Sequence, residues 1–152
     1  MKKRSPFKTR SRIPFIEQMQ QTECALCCMA MIASYYKNDL SMYELRERLG
    51  NGRDGTTLLH LRNMAKQLKF ETKTYKADTK QLRNLVLPAI LYWDNNHFVI
   101  LEKITSHALI IVDPGSGRKK VKEKDFTEKY SGYALTLYPG NGFEQRKRKN
   151  IW

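Results

Sequence analysis

The sequence predicts an α+β domain of two lobes, with a helical N-terminal lobe followed by an antiparallel sheet lobe. Segments with helical periodicity fill the chain up to residue 68. From residue 70 onward, short runs rich in β-branched and aromatic residues alternate with turns. With 152 residues, 41% of them apolar, the chain is large enough for one domain with a real core.

Three helices are predicted from periodicity and caps. The segment 24–36 is apolar nearly all round, which is typical of a buried helix. Ser41-Met-Tyr-Glu44 is a capping box that opens a second helix, and Gly50 ends it. A loop at residues 51–55 precedes the third helix. Its apolar residues recur at three- and four-residue steps, at Leu58, Leu61, Ala65 and Leu68.

The second half is predicted to be mostly strands. Short helical segments are expected after the cap Asp78-Thr-Lys-Gln81 and at residues 125–129. Turns such as Asp94-Asn-Asn96 separate the apolar runs. The predicted strands are 70–76, 86–93, 97–103, 107–112, 118–122 and 133–138.

Charge is concentrated at the two ends of the chain. The net charge is +13, and residues 1–12 carry six basic side chains and no acid. We therefore predict a flexible basic arm at 1–12, a folded domain at 13–140 and a basic tail or linker at 141–152. A balance this basic suggests nucleic acid, an anionic membrane or acidic ligands as partners. No basic cluster interleaves with aromatic residues inside the folded region, so we expect no nucleic-acid binding.

Membrane and redox signals are consistent with a cytosolic domain. The longest apolar run, residues 85–93, is far shorter than the roughly 20 residues that a spanning helix needs. No apolar signal-peptide core follows the basic start. The three cysteines, Cys24, Cys27 and Cys28, are odd in number and clustered, which makes a disulfide framework improbable and favours a reducing compartment.

Cys24 stands at the first turn of the first predicted helix, where the helix dipole favours a thiolate. The alternative is that it is a small buried apolar residue, the role that we expect for Cys27 and Cys28. A redox or zinc role for Cys24-x-x-Cys27 is disfavoured, because the preceding segment is too polar for a core strand. The three histidines also supply no second close pair of ligands, so no metal site is expected.

His97 and Asp113 flank two predicted strands. His97 opens the apolar run Phe98–Leu101, and Asp113 ends the run Leu109–Val112. If these strands pair, the carboxylate can hold the imidazole and stabilise its charged form. Taken singly, His97 is explained as an ordinary histidine and Asp113 as a turn residue before Pro114.

An amide lies near the cysteine in sequence. Gln18 precedes Cys24 by six residues, and a side-chain amide together with a backbone N–H can stabilise an oxyanion. Gln20 and Gln21 are neighbouring candidates for the same role.

Several motifs occur in one order along residues 13–139. They are Gln18 with Glu23-Cys24, Met31-Ile32 and Tyr35-Tyr36; Leu87-Pro-Ala-Ile90, Trp93 and Asn96-His-Phe-Val99; Asp113-Pro114 with Gly117; and Phe126 with Ser131-Gly-Tyr133. Together they resemble the bacteriocin-processing peptidase domain, the N-terminal protease of peptidase-containing ABC transporters.

The resemblance implies a papain-like cysteine protease fold and a set of residue roles. Cys24 would be the nucleophile, His97 the general base and acid, Asp113 the residue that orients His97, and Gln18 a member of the oxyanion hole. Ala25 stands where the family commonly has glycine, and it would reshape that hole slightly. No cofactor is implied for proteolysis, since ATP serves only the ATP-binding region, which this chain lacks.

The resemblance also implies partners and a location. The substrate would be a bacteriocin- or lanthipeptide-type precursor whose amphipathic helical leader ends in Gly-Gly or Gly-Ala, cut after the second small residue. A groove for the leader is expected at Leu58, Leu61 and Met64, with core packing as the alternative. The transmembrane and ATP-binding regions of the same transporter would be further partners, at the cytoplasmic face of the bacterial membrane. No Walker-type motif is present, which suggests an excised protease domain.

A different class of function is a non-catalytic domain of the same fold that only docks leader peptides. The presence of Cys24, His97 and Asp113 together argues against it.

Overall fold

The computed structural model describes residues 7–50 and 57–147. Its first half contains a short 3₁₀ turn and three α-helices. The turn is Gln21–Glu23, and the helices are α1 (Cys24–Tyr35), α2 (Met42–Leu49) and α3 (Leu58–Gln67). The predicted loop at residues 51–55 lies outside the described residues.

Capping explains where α2 and α3 begin. The Ser41 hydroxyl accepts a hydrogen bond from the Glu44 N–H at 3.0 Å, and the Thr57 hydroxyl accepts one from the His60 N–H at 3.2 Å. Gly50 ends α2 with a φ of 86°, a conformation that glycine adopts without strain. The Ser41 half of the predicted capping box is thus formed, whereas the Glu44 carboxylate pairs with Arg146.

The second half forms one six-stranded sheet. The strands are β1 (Phe70–Lys76), β2 (Ala89–Trp93), β3 (His97–Ile104), β4 (Leu109–Asp113), β5 (Gly117–Val121) and β6 (Tyr130–Pro139). A second 3₁₀ turn, Gln81–Asn84, precedes β2, and a short helix, α4 (Glu123–Lys129), precedes β6. Neighbours follow the order β1-β6-β2-β3-β4-β5, and every neighbouring pair is antiparallel. The predicted α+β class and its order of elements are confirmed.

The central strands of the sheet are buried on both faces because they alternate apolar residues between two cores. One face packs against α1, with Ile90, Phe98 and Ile100 in that core. The other face, with Leu91 and Val99, packs beneath α4 and the second 3₁₀ turn. The first helix is buried over Cys24–Ala33, as its apolar composition predicts.

The folded domain extends beyond both boundaries predicted from charge. Before residue 13, the Arg10 N–H donates to the Tyr35 carbonyl at 2.8 Å. After residue 140, Phe143 is only 6% exposed and belongs to the core. The Arg146 N–H also donates to the Lys37 carbonyl at 2.9 Å. A prediction from charge alone assigns both segments to solvent, because it takes no account of long-range backbone hydrogen bonds of this kind.

No helix within residues 7–50 and 57–147 has both the length and the hydropathy to cross a bilayer.

Candidate active site

Cys24 is the first residue of α1 and is 7% exposed. The residue before it, Glu23, makes no side-chain cap to the helix, since its carboxylate accepts two hydrogen bonds from Arg46 at 2.7 and 3.0 Å. The Glu23 carboxylate therefore does not cap the first turn of α1, and the sulfur lies at the end of the helix where the dipole favours an anion.

His97 and Asp113 are brought together by the pairing of β3 with β4. The strands run antiparallel, with Ile100 opposite Val112, so the start of one lies beside the end of the other. His97 Nε2 is 2.7 Å from Asp113 Oδ1. The Gly115 N–H donates to the same oxygen at 2.8 Å, which fixes the carboxylate in the turn after β4. The expectation that these two strands pair is confirmed.

Charge is stabilised on both members of this pair. Burial disfavours the imidazolium, but hydrogen bonds to Asp113 and Cys24 outweigh it and raise the pKa of His97 to about 9. Burial also disfavours the Asp113 carboxylate. Hydrogen bonds from His97, Gly115 and Ser116 overcome that effect and hold the pKa of Asp113 below its usual range. At neutral pH the pair is an imidazolium and a carboxylate.

Asp113, His97 and Cys24 form one series, because Asp113 is hydrogen-bonded to the imidazole and Cys24 also raises the pKa of that ring. Asp113 occupies Nε2 of the imidazole, which leaves Nδ1 as the ring nitrogen available to the Cys24 sulfur. A thiol, an imidazole and a carboxylate in this order can generate a thiolate and hold a proton beside it.

Gln18 lies in the same cleft as the histidine and the aspartate. The cleft has a volume of about 360 Å³ and is lined by Gln18, Asn96, His97, Asp113, Gly115 and Ser116. The Gln18 N–H donates to the Pro114 carbonyl at 2.9 Å, which fastens its backbone to the turn after β4. Its side-chain oxygen is buried and has no hydrogen-bond partner among the described residues. Gln20, one of the alternatives, is exposed and does not line this cleft.

Sequence reasoning assigned no role in the site to Asn96, Gly115 or Ser116, although Asn96 belongs to one of the motifs. All three lie in the tight turns beside His97 and Asp113, and that position is the signal that could have found them.

The other two cysteines have structural surroundings. Cys27 and Cys28 are completely buried, and the Cys27 thiol donates to the Ile16 carbonyl at 2.9 Å. Burial raises the pKa of Cys27 to about 12 and raises that of Cys28 well above its ordinary value. Their predicted place in the core is confirmed. In the part of the chain that the structure describes, no three His, Cys, Asp or Glu side chains are grouped to hold a metal ion.

The side chains predicted to form a leader groove do not share a surface. Leu61 is 0% exposed and Met64 is 8% exposed, and both belong to the core against α1 and the sheet. Leu58 is partly buried against the same core, whereas Leu59 is 59% exposed. The groove assignment is therefore corrected for Leu61 and Met64, because α3 stabilises itself by burying its apolar stripe.

Residues 12–142 match the model of a protein family described as the peptidase C39 family. Two relatives among characterised proteins are the lacticin-481/lactococcin-DR transport/processing ATP-binding protein of Lactococcus lactis subsp. lactis and the colicin V secretion/processing ATP-binding protein CvaB of Escherichia coli. The first is 33% identical over 136 residues, and the second is 31% identical over 133 residues. The matches cover 86% and 88% of this chain but 20% and 19% of those proteins. The chain thus spans about a fifth of the length of these relatives.

A similar solved structure is that of a double glycine motif protease from an AMS/PCAT transporter in complex with the leader peptide. It is 30% identical to this chain, superposes with a TM-score of 0.79, and the match covers 87% of this chain and 95% of that one.

Proposed function

This chain belongs to the peptidase C39 family, and we propose that it is a cysteine endopeptidase that removes double-glycine leaders from precursors of exported peptides. The observation that carries the proposal is the series Cys24–His97–Asp113, in which the imidazole is hydrogen-bonded to Asp113 at 2.7 Å and both Asp113 and Cys24 raise its pKa. The substrate class is supported by the solved double glycine motif protease with its leader peptide.

The proposed reaction is acyl transfer through a thioester. The Cys24 thiolate attacks the carbonyl carbon of the second small residue, and the oxygen of that carbonyl becomes an oxyanion stabilised by the Gln18 amide and the Cys24 N–H. The His97 imidazolium gives its proton to the leaving amine as the C–N bond breaks. His97 then takes a proton from water, which attacks the thioester and releases the leader from Cys24. Asp113 holds the ring and stabilises its charged form throughout.

The proposed setting is an exporter that processes and transports its peptide. The relatives are transport/processing or secretion/processing ATP-binding proteins, and this chain corresponds to about a fifth of each. The chain would then act at the cytoplasmic face of the membrane, beside transmembrane and ATP-binding regions, and proteolysis itself would need no cofactor.

The proposal is tested with a synthetic leader peptide that ends in Gly-Gly followed by several cargo residues. We expect mass spectrometry to show one cut after the second glycine and to show no cut with the Cys24→Ala variant. A matched peptide with Gly-Gly replaced by Val-Val should stay intact, because the proposed cleavage follows two small residues. Binding of the Gly-Gly peptide without any cleavage would contradict the proposal and favour the non-catalytic docking function.

A further inference from the structure

The segment that carries Gln18 is fastened at Ile13 by two charged side chains. The Ile13 N–H donates to Glu102 Oε2 at 2.7 Å, and the Ile13 carbonyl accepts from Arg118 Nη2 at 2.6 Å. Ile13 itself is 1% exposed and belongs to the core. Both backbone groups of a buried residue outside any strand are thus satisfied by side chains.

Glu102 and Arg118 also bind each other in a two-point contact. Arg118 Nε donates to Oε1 at 2.9 Å, and Arg118 Nη2 donates to Oε2 at 2.8 Å. Their side chains are 13% and 23% exposed, so the pair is mostly shielded from water. A planar guanidinium suits this role because its fixed fork matches a carboxylate and leaves a donor for a carbonyl.

Glu102 lies at a β-bulge and contacts Ile13 from the sheet. In the pairing of β3 with β4, Leu101 lies opposite Ile111 and Lys103 lies opposite Ile110. Glu102 is therefore the extra residue of β3. It continues the alternation of Phe98 and Ile100, which belong to the same core as Ile13. Arg118 reaches the same point from β5.

Two further contacts fix the rest of the segment. The Ile16 carbonyl accepts from the Cys27 thiol at 2.9 Å, and the Gln18 N–H donates to the Pro114 carbonyl at 2.9 Å. Residues 13–18 have no regular secondary structure. Their course is thus set by these contacts with α1, with the sheet and with the turn after β4.

We propose that Glu102 and Arg118 are positioning residues that hold the Gln18 amide where the oxyanion forms. The proposal rests on the proposed function, in which Gln18 is an oxyanion donor. Neither residue lines the cleft that holds His97, so the pair acts through the backbone of residues 13–18. Displacing a hydrogen-bond donor by about 1 Å can lower the rate about 10²-fold, so the Glu102–Arg118 pair should have a measurable effect although it lies outside the cleft.

The test is a double-mutant cycle between Glu102→Ala and Gln18→Ala, with Glu102→Gln and Arg118→Lys as milder variants. The probe is a synthetic amphipathic leader peptide ending in Gly-Gly joined to a fluorogenic amide. We expect Glu102→Ala to lower kcat about tenfold or more with KM changed less than about twofold. On the Gln18→Ala background the same substitution should change kcat less than about twofold, because no donor remains to be misplaced.

Alkylation of Cys24 by iodoacetamide separates positioning from general damage. Displacement at iodoacetamide forms no oxyanion, so its rate should be the same in wild type and in each Glu102 variant. Asp39→Ala is the matched control. It removes an ion pair with Arg10, at 3.0 Å, that fastens the same chain three residues before Ile13 but does not involve the sheet. We expect this control to lower thermal stability and to leave kcat unchanged.

Two kinds of result would overturn the inference. An equal loss of kcat on the Gln18→Ala background, or a parallel loss of Cys24 alkylation, would mean that the pair only supports the fold. If Glu102→Ala does not fold, the same cycle with Glu102→Gln decides, with a smaller expected loss. A wild-type protein that does not cut the probe, or a Gln18→Ala variant as fast as wild type, would instead refute the function assigned to the site.

Discussion

The charge of Asp113 should determine the upper pH limit of proteolysis. The rise in the pKa of His97 from 6.5 to about 9 corresponds to roughly 3 kcal/mol of preference for the imidazolium over the neutral ring. Burial opposes this preference, so the hydrogen bonds to Asp113 and Cys24 supply more than the net amount. Asp113→Asn keeps an oxygen that can accept from Nε2 and from the Gly115 N–H, but it removes the negative charge.

The assay is the pH profile of kcat/KM for a Gly-Gly leader peptide between pH 5 and 10. Wild-type activity should fall above about pH 9, because the neutral ring cannot protonate the leaving amine. In the Asp113→Asn variant the falling limb should move at least about one pH unit lower, since burial is then opposed mainly by Cys24. Alkylation of Cys24 by iodoacetamide needs no proton donor and should not fall at high pH in either protein.

Asp125→Asn serves as the matched control, since Asp125 is an exposed aspartate on α4 outside the cleft. Its profile should match that of wild type. A falling limb that stays near pH 9 in the Asp113→Asn variant would refute the reasoning, because Asp113 would then not be what keeps His97 protonated.

Three further outcomes follow from burial and charge. Because the pKa of His97 is raised on folding, its stabilising contribution is fully present below pH 6.5 and is lost as the pH rises through about 9. Urea unfolding at pH 6 and at pH 9.5 should show this loss of stability in wild type but not in the His97→Gln variant. In the native protein, limiting iodoacetamide should label Cys24 alone among the three cysteines, whereas labelling after denaturation should reach all three. Labelling of Cys27 or Cys28 in the native protein would contradict the packing of α1. Leu61→Ala should lower the free energy of unfolding by about 2–5 kcal/mol, and Leu59→Ala should change it by less than about 0.5 kcal/mol. Equal effects would mean that α3 does not bury Leu61 and expose Leu59 as the structure shows.

The fold and the central residues of the site follow from local patterns in the sequence. The boundaries of β1 coincide with the alternating run at 70–76, and Ser41 caps α2 as its motif predicts. His97 and Asp113 meet because β3 and β4 are joined by a short turn, and consecutive strands with such a turn usually pair. Pairing of near neighbours is the part of a tertiary structure that a sequence specifies most directly.

Contacts between distant parts of the chain could not be predicted in the same way. Glu102 looks like an ordinary polar residue near the end of a predicted strand, and its neighbours in the sequence do not point to a partner 89 residues away at Ile13. Phe143 packs against Phe70 and Tyr36, although it lies in a segment whose charge suggests a solvated tail. In each case the decisive contacts join distant parts of the chain and have no periodic signal, so no pattern in the sequence reveals them.

The two ends of the described chain meet at the end of α1 that lies farthest from Cys24. Arg10 binds Asp39 and the Ser34 carbonyl, and the Asp39 N–H donates to the Arg146 carbonyl at 2.7 Å. The 12 residues of α1 make a helix about 18 Å long, so these contacts lie well away from Cys24. Substitutions there should alter the free energy of unfolding more than kcat. Ile13, by contrast, lies only five residues before Gln18, so substitutions at its contacts with the sheet should alter kcat. In the same N-terminal segment, the contacts of Arg10 should thus affect stability, and the contacts of Ile13 should affect the proposed reaction. Asp39→Ala is therefore an informative control for Glu102→Ala.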